Sequence, residues 1–387
     1  MHNIKKQALI FALLINVNAC TIIDDYLLGK DNAPKPRPLP VLNFNHDVSI
    51  DWSVPVGSFV KGTATPDLQA RPLGKNIYAA SAKGDVYAYQ QHGARLWHKK
   101  LKVNLLAGPV VQGSYVLVNG DDASIYILDK TDGHLLHRVK LQNDAYAKPL
   151  IIDHTFYVKT INGAVYSIDL ATAKKNWRYD HGSPEIILKA SSSPIYYQGA
   201  IICGFSDGAL LGLDLNKGHP LFQQHIAFPR GASDIERLVD VDTNPLVDGN
   251  HLYVASYQGE IGAYSTEEAA FIWHKPASSF HDLAFDDRTL VMVSSRDRIW
   301  AYDKQNGTVL WKQNRLYARG LTAPVIWQHL IWVGDSSGVL HAINPLTGDF
   351  VSQHHFPAGI VSAMVPYGRY AFVLTSNGQL HRLSFKE

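Results

Sequence analysis

Apolar and polar positions alternate with a period of two in short runs along most of the chain. The stretch Gly163–Trp177 shows the unit clearly. A turn glycine opens it, Val165-Tyr166-Ser167-Ile168 alternates behind it, Asp169 to Ala173 forms a tight turn, and Trp177 anchors a returning run. Period-two alternation rich in β-branched and aromatic residues predicts strands, and the small and polar residues between them predict turns. A single hairpin of this kind cannot bury its own apolar face, so repetition of the unit decides the fold.

The turn position recurs at Gly84, Ala123, Gly163, Gly208, Gly259, Asp297, Gly338 and Gly378, at intervals of about 40 residues. Five positions on, every unit is apolar: Tyr89, Leu128, Ile168, Leu213, Tyr264, Tyr302, Ile343 and Leu383. Trp97, Trp177, Trp273 and Trp311 hold the anchor position, with His137, Phe222 and Ser352 in its place elsewhere. Pro109, Pro149, Pro194, Pro245 and Pro324 precede the turn in one common register. Eight units, each with room for four strands, predict an all-β, eight-bladed β-propeller of four-stranded antiparallel blades over residues 47–387. The last unit stops at Ser384-Phe385-Lys386-Glu387 without an anchor run, whereas Ser49-Ile50-Asp51-Trp52-Ser53 is an anchor run without a turn before it. The two defects complement each other, so the strand around Trp52 is expected to complete the last blade and close the ring, which protects its edges.

Residues 1–19 have the form of a signal segment. Lys5 and Lys6 precede the apolar run Ala8–Ile15, which is too short to span a bilayer, and Val17-Asn18-Ala19 leads to Cys20. This resembles a bacterial lipoprotein signal and implies acyl chains, palmitate among them, on Cys20 and anchorage at the outer membrane facing the periplasm. Residues 20–46 contain Pro34, Pro36, Pro38 and Pro40 and are expected to form an extended, solvated tether. With Cys20 lipidated, Cys203 has no intramolecular partner and is expected to be a small buried hydrophobe.

Composition narrows the function. Apolar residues make up 46% of the chain and aromatics 11%, enough for a large core, while a net charge of +2 with scattered cations gives no footprint for nucleic acid. No His and Cys grouping has zinc spacing, and Asp240 with Asp242 lacks the neighbours of a calcium loop. Gly204-Phe205-Ser206-Asp207-Gly208 matches the letters of a nucleophile elbow but falls on a blade turn instead of a strand-to-helix turn.

Two connections from an anchor run to the next proline are longer than the others: Trp177 to Pro194 and Phe222 to Pro245. They are neighbours on one face of the ring. Long connections in compact repeats more often carry function than decoration. The first holds Ile186, Leu188 and Lys189, an alternating apolar pair followed by a cation; the second holds Asp240 and Asp242.

The repeat Gly-x-Val-Tyr-x-Ile-Asp with its later Trp is similar to the quinoprotein-type propeller repeat, whose enzymes bind pyrroloquinoline quinone and calcium against an adjacent cysteine pair absent from this sequence. The eight repeats, the lipoprotein signal, the proline-rich tether and the run Glu236–Pro245 together resemble the BamB family of the outer-membrane β-barrel assembly machinery. That resemblance implies a non-enzymatic scaffold without a cofactor. It implies binding to the periplasmic POTRA domains of BamA through Ile186, Leu188, Lys189, Asp240 and Asp242. It also implies indirect contact with the other subunits of the machinery, and possible contact with nascent outer-membrane proteins. The alternative is a quinoprotein-like enzyme or periplasmic ligand binder using the central channel.

Overall fold

A computed structural model describes residues 34–42, 48–59, 67–184, 192–228 and 239–385, and among these the regular structure is entirely β. The strands form eight sheets, each built on four antiparallel strands that are consecutive except where the ring closes, and one of them carries an added fifth strand. In the third blade, Leu150–Ile152 lies innermost, followed by Thr155–Lys159, Ala164–Asp169 and the outermost Lys175–Asp180. The two middle strands are almost wholly buried, and the outer one is half exposed. The cause is the packing of blade on blade: one cluster joins Ile125, Ile127 and Val139 of the second blade to Phe156, Val158, Tyr166 and Ile168 of the third.

The turn chemistry expected from the sequence is present. Asp169 Oδ1 accepts from the Thr172 amide at 2.7 Å, and Asp214 Oδ1 accepts from the Lys217 amide at 2.7 Å. Each anchor Trp then ties its blade to the next. Trp97 Nε1 donates to Lys130 O at 2.9 Å, Trp177 to Leu215 O at 3.1 Å, Trp273 to Lys304 O at 3.0 Å and Trp311 to Pro345 O at 2.7 Å. The indole covers the turn of the neighbouring blade so closely that a Cβ on Gly218 would lie 2.4 Å from the Trp177 ring. Gly218 also has φ +71°, so both space and backbone require glycine there.

The ring closes as the two sequence defects imply. Val48–Pro55 pairs antiparallel with Gln379–Phe385 and becomes the outermost strand of the eighth blade. Trp52 repeats the tie, donating from Nε1 to Gln91 O of the first blade at 2.9 Å. Arg382 Nη1 donates to the same carbonyl at 2.6 Å, and Arg382 Nε reaches Asp51 Oδ2 at 2.9 Å.

Two features depart from eight plain four-stranded blades on a solvated tether. Asp67–Leu68 adds a fifth strand to the second blade, parallel to Leu105–Gln112 and on its axial side. Lys148 Nζ of the third blade holds this segment through Asp67 Oδ1 at 3.1 Å and Gln69 Oε1 at 3.0 Å. This segment therefore adds chain on the inner edge of the second blade. Within the stretch expected to be tether, Leu39 packs half-buried against the cluster of Val291, Val293, Leu316, Leu321, Ile331 and Val333. Residues 38–387 form one compact unit. The signal segment and Cys20 lie outside the described residues.

Candidate functional site

In an antiparallel four-stranded blade, the turn between the second and third strands emerges on the same face as the connection to the next blade. Backbone hydrogen bonds lace these loops together. Val241 N donates to Phe205 O at 3.2 Å, Tyr257 N to Asp240 O at 2.8 Å and Ser279 N to Ser256 O at 3.1 Å. The two long connections belong to this face, and their ends meet. Ser193 N, at the close of the first, donates to Asn244 Oδ1, at the close of the second, at 2.5 Å. Asn244 is itself fixed by Asp282, which accepts from its amide at 2.8 Å and from Nδ2 at 2.7 Å. Ile186, Leu188 and Lys189 lie outside the described residues.

Asp240 and Asp242 are described, and they point inward, 1% and 4% exposed. Among the described residues, no group outside the pair donates to Asp240 Oδ2 or to either oxygen of Asp242. Burial pushes Asp240 up to about 6 against the pull of the Lys159 cation. Burial and the Asp240 charge push Asp242 well above the usual carboxylate range. With both carboxyls raised, the pair favours keeping one proton, on Asp242 beside Asp240, over two adjacent buried charges. The acidic pair thus shapes the root of its connection from within; any contribution to a partner passes through the backbone it holds.

Lys159 supplies the counter-charge and was not singled out by the sequence reading. It is 4% exposed, and its Nζ donates to Gly204 O and to Ser192 Oγ, the latter at 3.3 Å. The cation also lies 5.4 Å from the centre of the Phe205 ring. A signal for it exists. Four positions before the turn the repeats carry Ala80, Asn119, Lys159, Gly204, Ala255, Val293, Gly334 and Leu374, and lysine is foreign to that column. Asn119 is the other polar member, and it too reaches beneath a connection, donating to Ala145 O at 3.0 Å and Ala147 O at 2.8 Å. Gly204 completes the packing, because a Cβ there would meet Val241 at 2.5 Å.

The other candidate chemistry resolves into structure. Cys203 is fully buried, which pushes its thiol up to about 12 and makes it an inert hydrophobe. Ser206 sits on the turn closed by Gly208 N donating to Phe205 O at 3.1 Å, as its place in the repeat implies. Among the described residues, Asp129, Asp132 and His134 have ligand atoms close enough for a metal ion. They lie at a blade turn, with Asp132 and His134 exposed and satisfied by one another at 2.7 Å.

This fold has relatives. A family model described as "Outer membrane protein assembly factor BamB" matches residues 82–313. The protein of that name from Legionella pneumophila (strain Paris) is 37% identical over 381 residues, 98% of this chain and 99% of the relative. Its counterpart from Yersinia pestis is 30% identical over 341 residues, 85% of this chain and 86% of the relative. The crystal structure of BamB from Moraxella catarrhalis matches the fold with a TM-score of 0.81 at 23% identity, covering 88% of this chain and 100% of that one. With a ring of eight blades, quinoprotein-type repeats and this similarity over nearly its whole length, the chain belongs to the BamB family of outer-membrane protein assembly factors.

Proposed function

We propose that the protein is a non-enzymatic scaffold of the outer-membrane β-barrel assembly machinery. In this reading it is anchored through lipid on Cys20, faces the periplasm, and binds the POTRA domains of BamA through its two long connections. Ile186 and Leu188 supply apolar contact and Lys189 a cation, while Asp240 and Asp242 hold the second connection in place. The observation that carries the reading is the convergence of the two connections, joined by Ser193 N and Asn244 Oδ1, in a chain of this family. A surface of apolar side chains rimmed by charge has the make-up of a protein interface. The segment Asp67–Gln69 counts against a ligand in the channel, because it adds chain on the inner edge of the second blade.

The test is a titration of purified BamA periplasmic domain against the folded protein and its Leu188→Glu and Lys189→Glu variants, with circular dichroism as the folding control. Leu188→Glu should weaken binding by about 1–3 kcal/mol, the range of interface hot spots, with a smaller loss for Lys189→Glu. Equal affinities for all three proteins would remove the first connection from the site.

A further inference from the structure

The loop face continues past the two long connections, and its next stretch has a composition of its own. Phe228 is 59% exposed and Phe280 40% exposed, large values for phenylalanine in a chain with so much buried core. The two belong to successive connections, with the half-buried Tyr257 between them on the turn of the fifth blade. Ala227, beside Phe228, packs against Gly259 of that turn, and the rings of Tyr257 and Phe280 lie 6.5 Å apart. Tyr257 is also the residue whose amide bonds Asp240 O, so the aromatic stretch begins where the acidic pair ends.

Arginines follow. Ser295 N donates to Ser278 O at 2.9 Å, which brings the turn of the sixth blade against the connection that carries Phe280. That turn presents Arg296 and Arg298, both exposed, and the next connection presents Arg315, also exposed. Arg298 leans over the ring of Tyr317 at 5.6 Å. The nearby carboxylate does not neutralise them: Asp297 is turned inward, accepting from Gly320 N at 2.8 Å and Leu321 N at 2.9 Å. Among the described residues none of the three guanidinium groups has an ion pair, although arginines elsewhere do, as Arg138 does with Asp122 and Arg382 with Asp51.

We infer that Phe228, Tyr257 and Phe280 with Arg296, Arg298 and Arg315 form an arc that docks an acidic protein surface, one presenting carboxylates beside an apolar strip. The inference rests on the proposed function and extends its interface from the fourth blade to the seventh. Aromatic and arginine side chains are the types enriched where binding energy concentrates, and three cations left without carboxylates are complementary to a partner that supplies them. A protein partner is favoured over an anionic polymer or membrane because half of the arc is aromatic and the chain as a whole carries a net charge of only +2.

The experiment uses the same BamA periplasmic domain at low and at physiological salt. One variant carries Arg296→Glu, Arg298→Glu and Arg315→Glu; a second carries Phe228→Ser and Phe280→Ser; a third replaces the three arginines with glutamine and guards against a folding defect from charge reversal. Both arginine variants should weaken binding, reversal by roughly 10- to 100-fold, and both should flatten its salt dependence. The phenylalanine variant should weaken binding about 10-fold at either salt. Wild-type affinity in all three variants, with Leu188→Glu still impaired, would overturn the arc and leave the proposed function standing. Lost binding to phosphatidylglycerol vesicles with unchanged BamA affinity would likewise overturn it in favour of a membrane contact. No binding by the wild-type protein would overturn both.

Discussion

Replacing Trp52 with alanine tests how the ring is closed. The indole is half-buried between the eighth and first blades, 6.1 Å from the Phe372 ring and 3.3 Å from where a Cβ on Gly93 would lie. Truncating a fully buried aromatic costs about 3–5 kcal/mol, so a half-buried one should cost about 2 kcal/mol. The bond from Nε1 to Gln91 O adds about 1 kcal/mol; the carbonyl keeps its bond from Arg382 and is not left unsatisfied. The sum is about 2–4 kcal/mol in unfolding free energy, read from chemical denaturation at an unchanged slope. Trp311→Ala, which breaks the same kind of tie inside the ring, is the comparison. The two should differ in hydrogen exchange. Trp52→Ala should speed exchange of the amides that pair Val48–Pro55 with Gln379–Phe385, whereas Trp311→Ala should leave those amides protected. If Trp52→Ala matches wild type in both stability and exchange at this pairing, the strand is not what closes the ring.

The buried charges and the signal segment each make further predictions. Asp242→Asn resembles the protonated side chain it replaces and should change stability at neutral pH by less than about 1 kcal/mol, whereas Asp240→Asn removes the counter-charge of Lys159 and should cost about 3 kcal/mol. Because both carboxyls are raised in the folded protein, the folded state holds more protons than the unfolded state. Their contribution to stability should therefore fall as pH rises from about 4 through about 6, and that fall should be smaller in Asp242→Asn; equal pH profiles by thermal unfolding would contradict the shared proton. Cys20→Ala should leave a precursor that takes up no labelled palmitate, and label retained by that variant would move the lipid to another residue.

The repeat was legible because each blade solves the same local problem with the same residues. A turn glycine, an alternating run, an Asp that bonds its own turn and a Trp recur within about 40 residues, a span over which spacing is visible in one sequence. Closure by Val48–Pro55 was legible for the same reason, since the missing and the surplus anchor runs could be matched. What the Trp residues bind was not legible, because each acceptor carbonyl belongs to the next repeat. The axial strand Asp67–Leu68 carries no repeat signature at all, and its two pairings depend on where Gly108 and Lys148 happen to sit in space. The site was legible as a place but not as a geometry. Loop length located the connections, yet the inward turn of Asp240 and Asp242 depends on Lys159, a residue of the third blade, one blade before the connection starts. The aromatic and arginine arc gathers one or two residues from each of five loops, none of them unusual in its own stretch.

Closure also sets an order of events during folding. Ser49 and Ser384, bonded at 3.1 Å, are 335 positions apart in the chain, whereas the hairpins within every blade are local. Blades can therefore begin to form as the polypeptide emerges, but the strand carrying Trp52, among the earliest to appear, must wait for Gln379–Phe385 before it has a partner. Until then a strand edge and the turn around Gln91 remain uncovered, and both invite pairing with another chain. The joint thus works as a proof of completeness. A polypeptide stopped before residue 379 carries seven blades and an open edge, a state that a quality-control protease or chaperone can distinguish from the finished ring.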